Sequence, residues 1–227
     1  MQRQHQLALG AFIALAGAAP LAQASLTTLT LPTLNSDART YTDGATYNPL
    51  FPGTQTWNGV PFQLSVDASG NTVFYNGVLN IPVGVFGVTQ AYTIINSGFG
   101  TFGSNNGSIE FFGTNSSYYK VDLIQGVNIR DHYDGVFNNT IDNINAVAAF
   151  NVGPGRARLD EQIYNLPLAF GSETLNTIRF TGLNLGGFAG TPFIAAATVS
   201  VVPEPEPYAL MLAGLGVLGW MQRRRRA

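Results

Sequence analysis

The chain has 227 residues, 45% of them hydrophobic and 11% charged, with 26 glycines and no cysteine. This composition favours β-structure over helical bundles, and without disulfides the fold depends on burial of a core. Five of the 11 basic and two of the 13 acidic residues lie at the two ends. The remaining 6 basic and 11 acidic residues give the middle a net charge of −5, which argues against nucleic acid or anionic lipid as a partner.

The N-terminal segment is typical of a secretory signal peptide. Arg3 precedes the apolar stretch Leu7–Ala19, and Ala22 and Ala24 supply the small-x-small pattern of a cleavage site. We therefore predict a signal peptide over residues 1–24, with Ser25 as the first residue after cleavage.

Short strand-like runs separated by turn residues fill residues 25–202. Apolar and charged residues alternate in Tyr119–Leu123 and again in Thr177–Phe180, which is the period of a strand with one wet face. Intervening segments such as Asp67–Asn71 and Gly113–Ser117 are rich in residues that tolerate positive φ. The clearest strands are Ser108–Phe112, Tyr118–Ile124, Glu161–Leu166, Thr174–Phe180 and Pro192–Val202. The pattern predicts an all-β domain, an antiparallel β-sandwich.

The C-terminal end has three blocks, which are a proline-rich motif, an apolar segment and a run of arginines. The motif begins Val202-Pro203-Glu204-Pro205, and the uncharged segment Tyr208–Met221 follows it. We predict that this segment is a short transmembrane helix, because roughly twenty residues make a full span and flanking arginines can snorkel. Arg223, Arg224, Arg225 and Arg226 should stay cytoplasmic, which leaves the domain outside the inner membrane.

In this order the three blocks of residues 203–227 resemble the PEP-CTERM sorting signal of Gram-negative bacteria. The resemblance implies that an exosortase-type enzyme cleaves near Pro203-Glu204-Pro205 and passes the protein to the cell surface or the extracellular matrix. It also implies a transient anchor in the inner membrane and a link to exopolysaccharide and biofilm formation. The doubled Pro-Glu-Pro-Glu-Pro leaves the position of cleavage within residues 203–207 open.

A second resemblance covers the middle of the chain and rests on scattered motifs. Asn58–Phe62, Ile81–Val83, Gly107–Phe111, Gly126–Asp131 and Arg158–Asp160 follow an order similar to that of jelly-roll, galactose-binding-like modules. The resemblance implies a sandwich of eight or nine strands and carbohydrate as the ligand class. It also implies that a structural calcium ion could be present, although no other cofactor is expected.

The sequence contains no recognisable catalytic apparatus. His132 is the single histidine after the signal peptide, and no G-x-S-x-G nucleophile motif occurs. Glycoside hydrolysis would need two carboxyl groups on opposite sides of a sugar, and their separation cannot be read from sequence. We therefore expect a non-enzymatic, glycan-binding or biofilm-associated protein. A small polysaccharide-acting enzyme and a purely structural surface protein are the alternatives.

Aromatic residues near turns are the candidates for a platform on which sugar rings stack. Trp57 is preferred because it lies in the loop-like segment 52–61, although it could instead plug the core. The phenylalanines within strand-like runs are better interpreted as core. The platform candidates are Trp57, Tyr75, Tyr118, Tyr133 and Tyr164, and the predicted core residues are Phe62, Phe74, Phe111, Phe112, Phe180 and Phe193.

Polar residues that could fix the sugar hydroxyls lie in two segments. Asn58 follows Trp57, while Arg130, Asp131 and His132 belong to another loop that could share the same end of the sandwich. Asp131 and Asp134 are also weak candidates for calcium ligands, since carboxylate oxygens are what Ca²⁺ prefers. The alternative for this loop is an ion pair between Arg130 and Asp131 that pins it in place.

Overall fold

A computed structural model describes residues 24–201, 214–216, 222 and 224 of the chain. The predicted signal peptide apart from Ala24 therefore lies outside the described residues, as do Val202–Pro205, most of the predicted span Tyr208–Met221, and the arginines other than Arg224. Among the described residues, no helix is both long enough and apolar enough to cross a membrane.

The described residues form twelve strands and three short 3-10 helices, which confirms the prediction of a mostly β-structure. The helices span Ala38–Thr40, Gly44–Tyr47 and Leu168–Ser172. The strands are β1 (Ser25–Leu29), β2 (Gly53–Trp57), β3 (Val60–Leu64), β4 (Phe74–Tyr75), β5 (Gly77–Phe86), β6 (Val88–Gly98), β7 (Asn105–Gly113), β8 (Tyr118–Ile124), β9 (Ala146–Asn151), β10 (Arg158–Asn165), β11 (Thr174–Gly182) and β12 (Thr191–Val201).

Two antiparallel sheets and a separate hairpin make up the architecture. A six-stranded sheet has the order β1-β12-β6-β10-β9, with β4 also paired to β12, and a four-stranded sheet has the order β5-β11-β7-β8. Strands β2 and β3 form the hairpin. Ser25 at the start of β1 pairs with Val201 at the end of β12. The predicted first residue after signal cleavage therefore lies beside the last residue before the proline-rich motif.

The six-stranded sheet is buried on both faces. One hydrophobic cluster fills the space between the two sheets and includes Phe111, Phe180 and Ile194. A second cluster includes Phe62 on the hairpin and Phe193 on β12. Neighbouring residues of a strand point to opposite faces, so Phe193 and Ile194 contribute to different clusters. This explains why β12 is mostly apolar and almost entirely buried.

The predicted core phenylalanines are buried with one exception. Phe62, Phe74, Phe111, Phe180 and Phe193 are at most 8% exposed. Phe112 is half-buried, and the guanidinium of Arg179 lies 4.6 Å from the centre of its ring. Full burial of an aromatic side chain stabilises a fold by roughly 1.5–3 kcal/mol. These positions therefore hold the two sheets and the hairpin together.

The number of strands is larger than expected. The two sheets contain ten strands, whereas the resemblance implied eight or nine. Strands such as β1 and β9 are short and lack a clear alternation of apolar and polar residues, so their pairing depends on neighbours that are distant in sequence. By contrast, β8 has the predicted bounds Tyr118–Ile124.

Candidate functional site

A cavity of about 680 Å³ lies where three loop segments meet. Its described lining comes from residues 36–42, from Gly98 and Phe99 at the end of β6, from residues 131–137, and from Tyr75 on β4. Ser97 forms an isolated parallel bridge with Asp131, which holds the 131–137 segment against β6. The volume falls within the range of small-molecule sites, roughly 300–1,000 Å³.

Tyrosine and phenylalanine supply five of the twelve described lining residues of the cavity. The ring of Tyr41 meets that of Tyr75 edge-on at 6.0 Å and that of His132 at 5.5 Å. The Tyr41 hydroxyl donates a hydrogen bond to Ser36 Oγ at 2.6 Å, and burial raises its pKa to about 12. Tyr41 therefore remains a neutral hydroxyl at physiological pH. The aromatic lining residues are Tyr41, Tyr75, Phe99, Tyr133 and Phe137.

Phe99 is held in an unusual backbone conformation at the cavity wall. Its φ of 66° lies in the left-handed region, which is rare for a bulky residue and costs of the order of 1–3 kcal/mol. Its N–H donates to Asp131 Oδ1 at 3.2 Å, and its carbonyl accepts from Ser97 Oγ at 2.5 Å. The conformation is therefore fixed from both sides, which sets the position of the ring.

The aromatic wall continues from the cavity to the surface. The rings of Phe99 and Phe137 lie 4.9 Å apart, and that of Phe188 lies 5.5 Å and 5.1 Å from them. Phe188 is 64% exposed. A ligand in the cavity could therefore extend along an aromatic surface beyond it.

Asp131 is a buried carboxylate at this cavity. It is 3% exposed, and its Oδ1 accepts from the backbone N–H groups of Phe99 at 3.2 Å and Tyr133 at 3.3 Å. Burial raises the pKa of its carboxyl group to about 6. Because both hydrogen bonds end on Oδ1, Oδ2 remains open to a ligand.

His132 is neutral, and its tautomer follows from its neighbours. The Tyr47 hydroxyl donates its only proton to the Arg158 carbonyl at 2.7 Å and lies 3.2 Å from His132 Nδ1. The Tyr47 oxygen is therefore the acceptor in its contact with His132, and Nδ1 carries the proton that it donates. Nε2 of the neutral ring is then left as an acceptor. Burial, with the positive charge of Arg158, lowers the pKa of His132 to about 4.

Arg130 does not line the cavity, and the expected ion pair between Arg130 and Asp131 is wrong. The Arg130 guanidinium instead forms two bonds to Asp160, Nη2 to Oδ1 at 2.6 Å and Nε to Oδ2 at 2.8 Å. Asn96 Nδ2 also donates to Asp160 at 2.7 Å. Arg130 therefore satisfies a carboxylate that is completely buried.

Trp57 and Asn58 lie on the β2–β3 hairpin and do not line the cavity. Asn58 and Gly59 have φ values of 49° and 83° and form its two-residue turn. Asn58 Nδ2 donates to Glu161 Oε2 at 2.8 Å and to the Ala148 carbonyl at 3.2 Å. Trp57 is half-buried, with its ring 5.9 Å from that of Phe62. The structure does not bring the two predicted binding segments to one cavity.

The other platform candidates fall into three environments. Tyr75 and Tyr133 line the cavity. Tyr118 is exposed on β8, and its hydroxyl donates to Glu110 at 2.6 Å. Tyr164 is 3% exposed within the cluster between the sheets. Tyr164 is therefore mainly a core residue, although it also contributes to the lining of a second, smaller cavity of about 270 Å³.

Of the two weak calcium candidates, Asp131 and Asp134, the second is paired with a positive charge. Asp134 faces the Arg158 guanidinium, with Oδ1 3.2 Å from Nη1, and this positive charge opposes cation binding. In the part of the chain that the structure describes, no three acidic, histidine or cysteine residues are grouped so as to hold a metal ion. Structural calcium remains a prediction.

Sequence reasoning missed Tyr41, Phe99 and Phe137 as lining residues. Phe99 and Phe137 were not singled out because a phenylalanine near a turn looks the same whether it faces a core or a cavity. Tyr41 lies 90 positions from Asp131 along the chain, and only tertiary packing brings the two residues together. The usable signals were the run of polar and aromatic residues around His132 and the aromatic residue Tyr75.

Comparison with known protein families identifies the C-terminal end. The model of the PEP-CTERM protein-sorting motif matches residues 201–226, which confirms the recognised sorting signal. The motif implies processing by an exosortase, with export and transient membrane anchoring before display at the cell surface. A search of curated proteins found no match to the chain.

Proposed function

We propose that this exosortase-sorted surface protein binds a glycan in the cavity lined by Tyr41, Tyr75, Phe99, Tyr133 and Phe137. The observation that carries the proposal is the combination of these aromatic side chains with Asp131 and His132 in one cavity. The apolar face of a sugar ring stacks on aromatic rings, at about 1 kcal/mol for each contact. The carboxylate and the imidazole supply acceptors that orient the hydroxyl groups.

In this proposal the protein is a binding protein and not a hydrolase. Hydrolysis of a glycosidic bond requires a pair of carboxyl groups about 5–10 Å apart around the sugar. Among the described lining residues, Asp131 is the only carboxylate. Binding of the cell's own exopolysaccharide would place the protein in the biofilm matrix. The two antiparallel sheets are compatible with the jelly-roll, galactose-binding-like module that belongs to this proposal.

A glycan array tests the binding function directly. Residues 24–201 belong to one compact unit with its own hydrophobic clusters, so the 25–202 fragment should fold and be rich in β-structure by far-UV circular dichroism. We expect it to bind at least one polysaccharide, and Tyr133→Ala to weaken that binding about tenfold. A folded fragment that binds no glycan would end the proposal.

Intact-mass measurement tests the sorting. Protein recovered from the surface of the native host should lack residues 208–227, because an exosortase is expected to cleave within residues 203–207. Replacing Arg223–Arg226 by glutamine should reduce retention in the membrane before cleavage. Surface material that still carries the arginine run would contradict processing at this motif.

A further inference from the structure

The basic side chains of the domain are all committed to ion pairs. Residues 24–201 contain six lysines and arginines, and each has a carboxylate partner between 2.6 and 3.8 Å away. The pairs are Arg39–Asp37, Lys120–Asp122, Arg130–Asp160, Arg156–Asp43, Arg158–Asp134 and Arg179–Glu110. None of the six basic residues belongs to the described lining of the cavity. An anionic ligand would therefore find no unpaired basic side chain there.

The charged side chain in the cavity wall is negative, opposite in sign to the six basic residues. Asp131 is buried in the wall, and its two protein hydrogen bonds come from the uncharged N–H groups of Phe99 and Tyr133. The nearby Arg158 donates from Nε to the Asp131 backbone carbonyl at 3.1 Å, while its Nη1 contacts Asp134. The Asp131 carboxylate is therefore not in an ion pair among the described residues. The charge of Arg158 offsets it only through space, so Asp131 still places negative charge in the cavity wall.

His132, the imidazole in the cavity wall, also presents an acceptor beside the hydroxyl groups of the lining. The proton on His132 Nδ1 is directed to the Tyr47 oxygen, so Nε2 has a lone pair to offer. Asp131 Oδ2 and His132 Nε2 can both accept a hydrogen bond from the ligand, and sugar hydroxyls are donors. A carboxylate or sulfate is an acceptor only and would be repelled by Asp131.

We infer that the site selects uncharged, hydroxyl-rich glycan segments and rejects glycans that carry carboxylate or sulfate groups. This inference rests on the proposed glycan-binding function and adds the ligand class to it. The aromatic side chains attract sugar rings whatever their charge. The negative charge of Asp131 makes the site prefer neutral glycans to acidic ones. An acidic exopolysaccharide would then be bound only through its neutral stretches.

Paired polymers with the same backbone provide the test. The full-length protein in mild detergent is measured at pH 7.5 and 0.1 M salt against hydroxyethyl cellulose and carboxymethyl cellulose, dextran and dextran sulfate, and starch and carboxymethyl starch. We expect at least one neutral polymer to bind, and about tenfold tighter than its acidic counterpart. Equal or tighter binding of the acidic member would overturn the inference and leave glycan binding standing. Binding of no polymer of either kind would overturn both.

Asp131→Asn isolates the source of the discrimination. The asparagine keeps an Oδ1 acceptor for the N–H groups of Phe99 and Tyr133 and removes the charge, so the preference for the neutral polymer should fall to about threefold or less. Asp122→Asn is the charge-matched control, because Asp122 is an exposed residue of β8 paired with Lys120. It should keep the tenfold preference. If both variants lose the preference equally, net charge is responsible and the assignment to Asp131 is wrong.

Discussion

The β2–β3 hairpin and the 131–137 loop both place aromatic and polar side chains near turns, yet they differ in what those side chains touch. On the hairpin, the side-chain amide of Asn58 donates a hydrogen bond to Glu161, and the ring of Trp57 packs against that of Phe62. In the loop, Asp131 retains an open oxygen and Tyr133 lines a cavity. An aromatic residue near a turn is therefore evidence for a binding site only where its neighbours leave one of its faces free.

The largest expected effect is a loss of stability on replacing Arg130. This residue precedes the 131–137 loop in sequence, but its side chain pairs with a buried carboxylate of the core. Arg130→Met would leave the completely buried Asp160 carboxylate without its guanidinium. We expect the free energy of unfolding to fall by about 3–5 kcal/mol, measured by urea denaturation at pH 7. Lys120→Met is the control, because its pair with Asp122 is 2.9 Å long but about half exposed. It should cost less than about 1 kcal/mol. Similar costs for both variants would refute a structural role for Arg130.

Trp57→Ala tests whether the hairpin contributes to stability and not to glycan binding. The side chain is half-buried against the second hydrophobic cluster, so its loss should cost about 2 kcal/mol of stability. Glycan binding should not change, since Trp57 does not line the cavity. Thermal unfolding and a binding assay on the same variant decide the matter. Weaker binding with an unchanged unfolding midpoint would make Trp57 a ligand platform after all.

Asp131→Asn should change stability in a pH-dependent way. The pKa of Asp131 is raised to about 6 in the folded protein, against about 4 in the unfolded chain. The folded state therefore holds this proton more tightly, and stability is lost as pH rises from 4 through 6. The uncharged variant should match wild type near pH 3.5 and exceed it by about 1–2 kcal/mol at pH 7.5.

His132 contributes a pH dependence of the opposite sign. Its pKa is lowered to about 4 in the folded protein, so stability falls as pH drops from about 6.5 through 4. This contribution is common to wild type and to Asp131→Asn and cancels when their denaturation curves are compared at each pH. A difference between the two proteins that does not vary with pH would show that the Asp131 charge is not responsible.

Gly59→Ala should have the smallest effect and concerns the hairpin turn alone. Gly59 has a φ of +83°, and an added Cβ would meet no atom within 4 Å. The cost is therefore backbone strain, about 1 kcal/mol. Gly53→Ala in the same hairpin is the control, because its Cβ would meet only ordinary contacts at 3.6 Å. Equal midpoints for the two variants would contradict the positive-φ turn.

Local patterns predicted those parts of the molecule that depend on neighbouring residues. The bounds of β8 and the sorting motif at Val202–Pro205 are of this kind. The Asn58-Gly59 turn could have been predicted from its residue types and was missed. The partner of Arg130 could not be predicted, because the bonds to Asp160 depend on how the 130–132 segment lies against β6 and β10.

The cavity could not be predicted from the sequence either, because it also depends on tertiary packing. Tyr41, Phe99 and Tyr133 come from three separated segments, which tertiary packing brings together. The bridge between Ser97 and Asp131 places the loop beside the end of β6, and a second bridge joins Tyr133 to Ala157. Neither bridge leaves a periodic pattern in the sequence. In advance, only Tyr75 and the residues around His132 drew attention to this region.

The most direct test of glycan binding in this cavity compares glycan affinity in Tyr133→Ala and Trp57→Ala, using the polysaccharide to which the wild-type protein binds most tightly. Both variants remove one partly exposed aromatic ring, one from the cavity and one from the hairpin. We predict about tenfold weaker binding for Tyr133→Ala, since one stacking contact is worth about 1 kcal/mol or slightly more, and no change for Trp57→Ala. Loss of binding in Trp57→Ala with full binding in Tyr133→Ala would contradict the account.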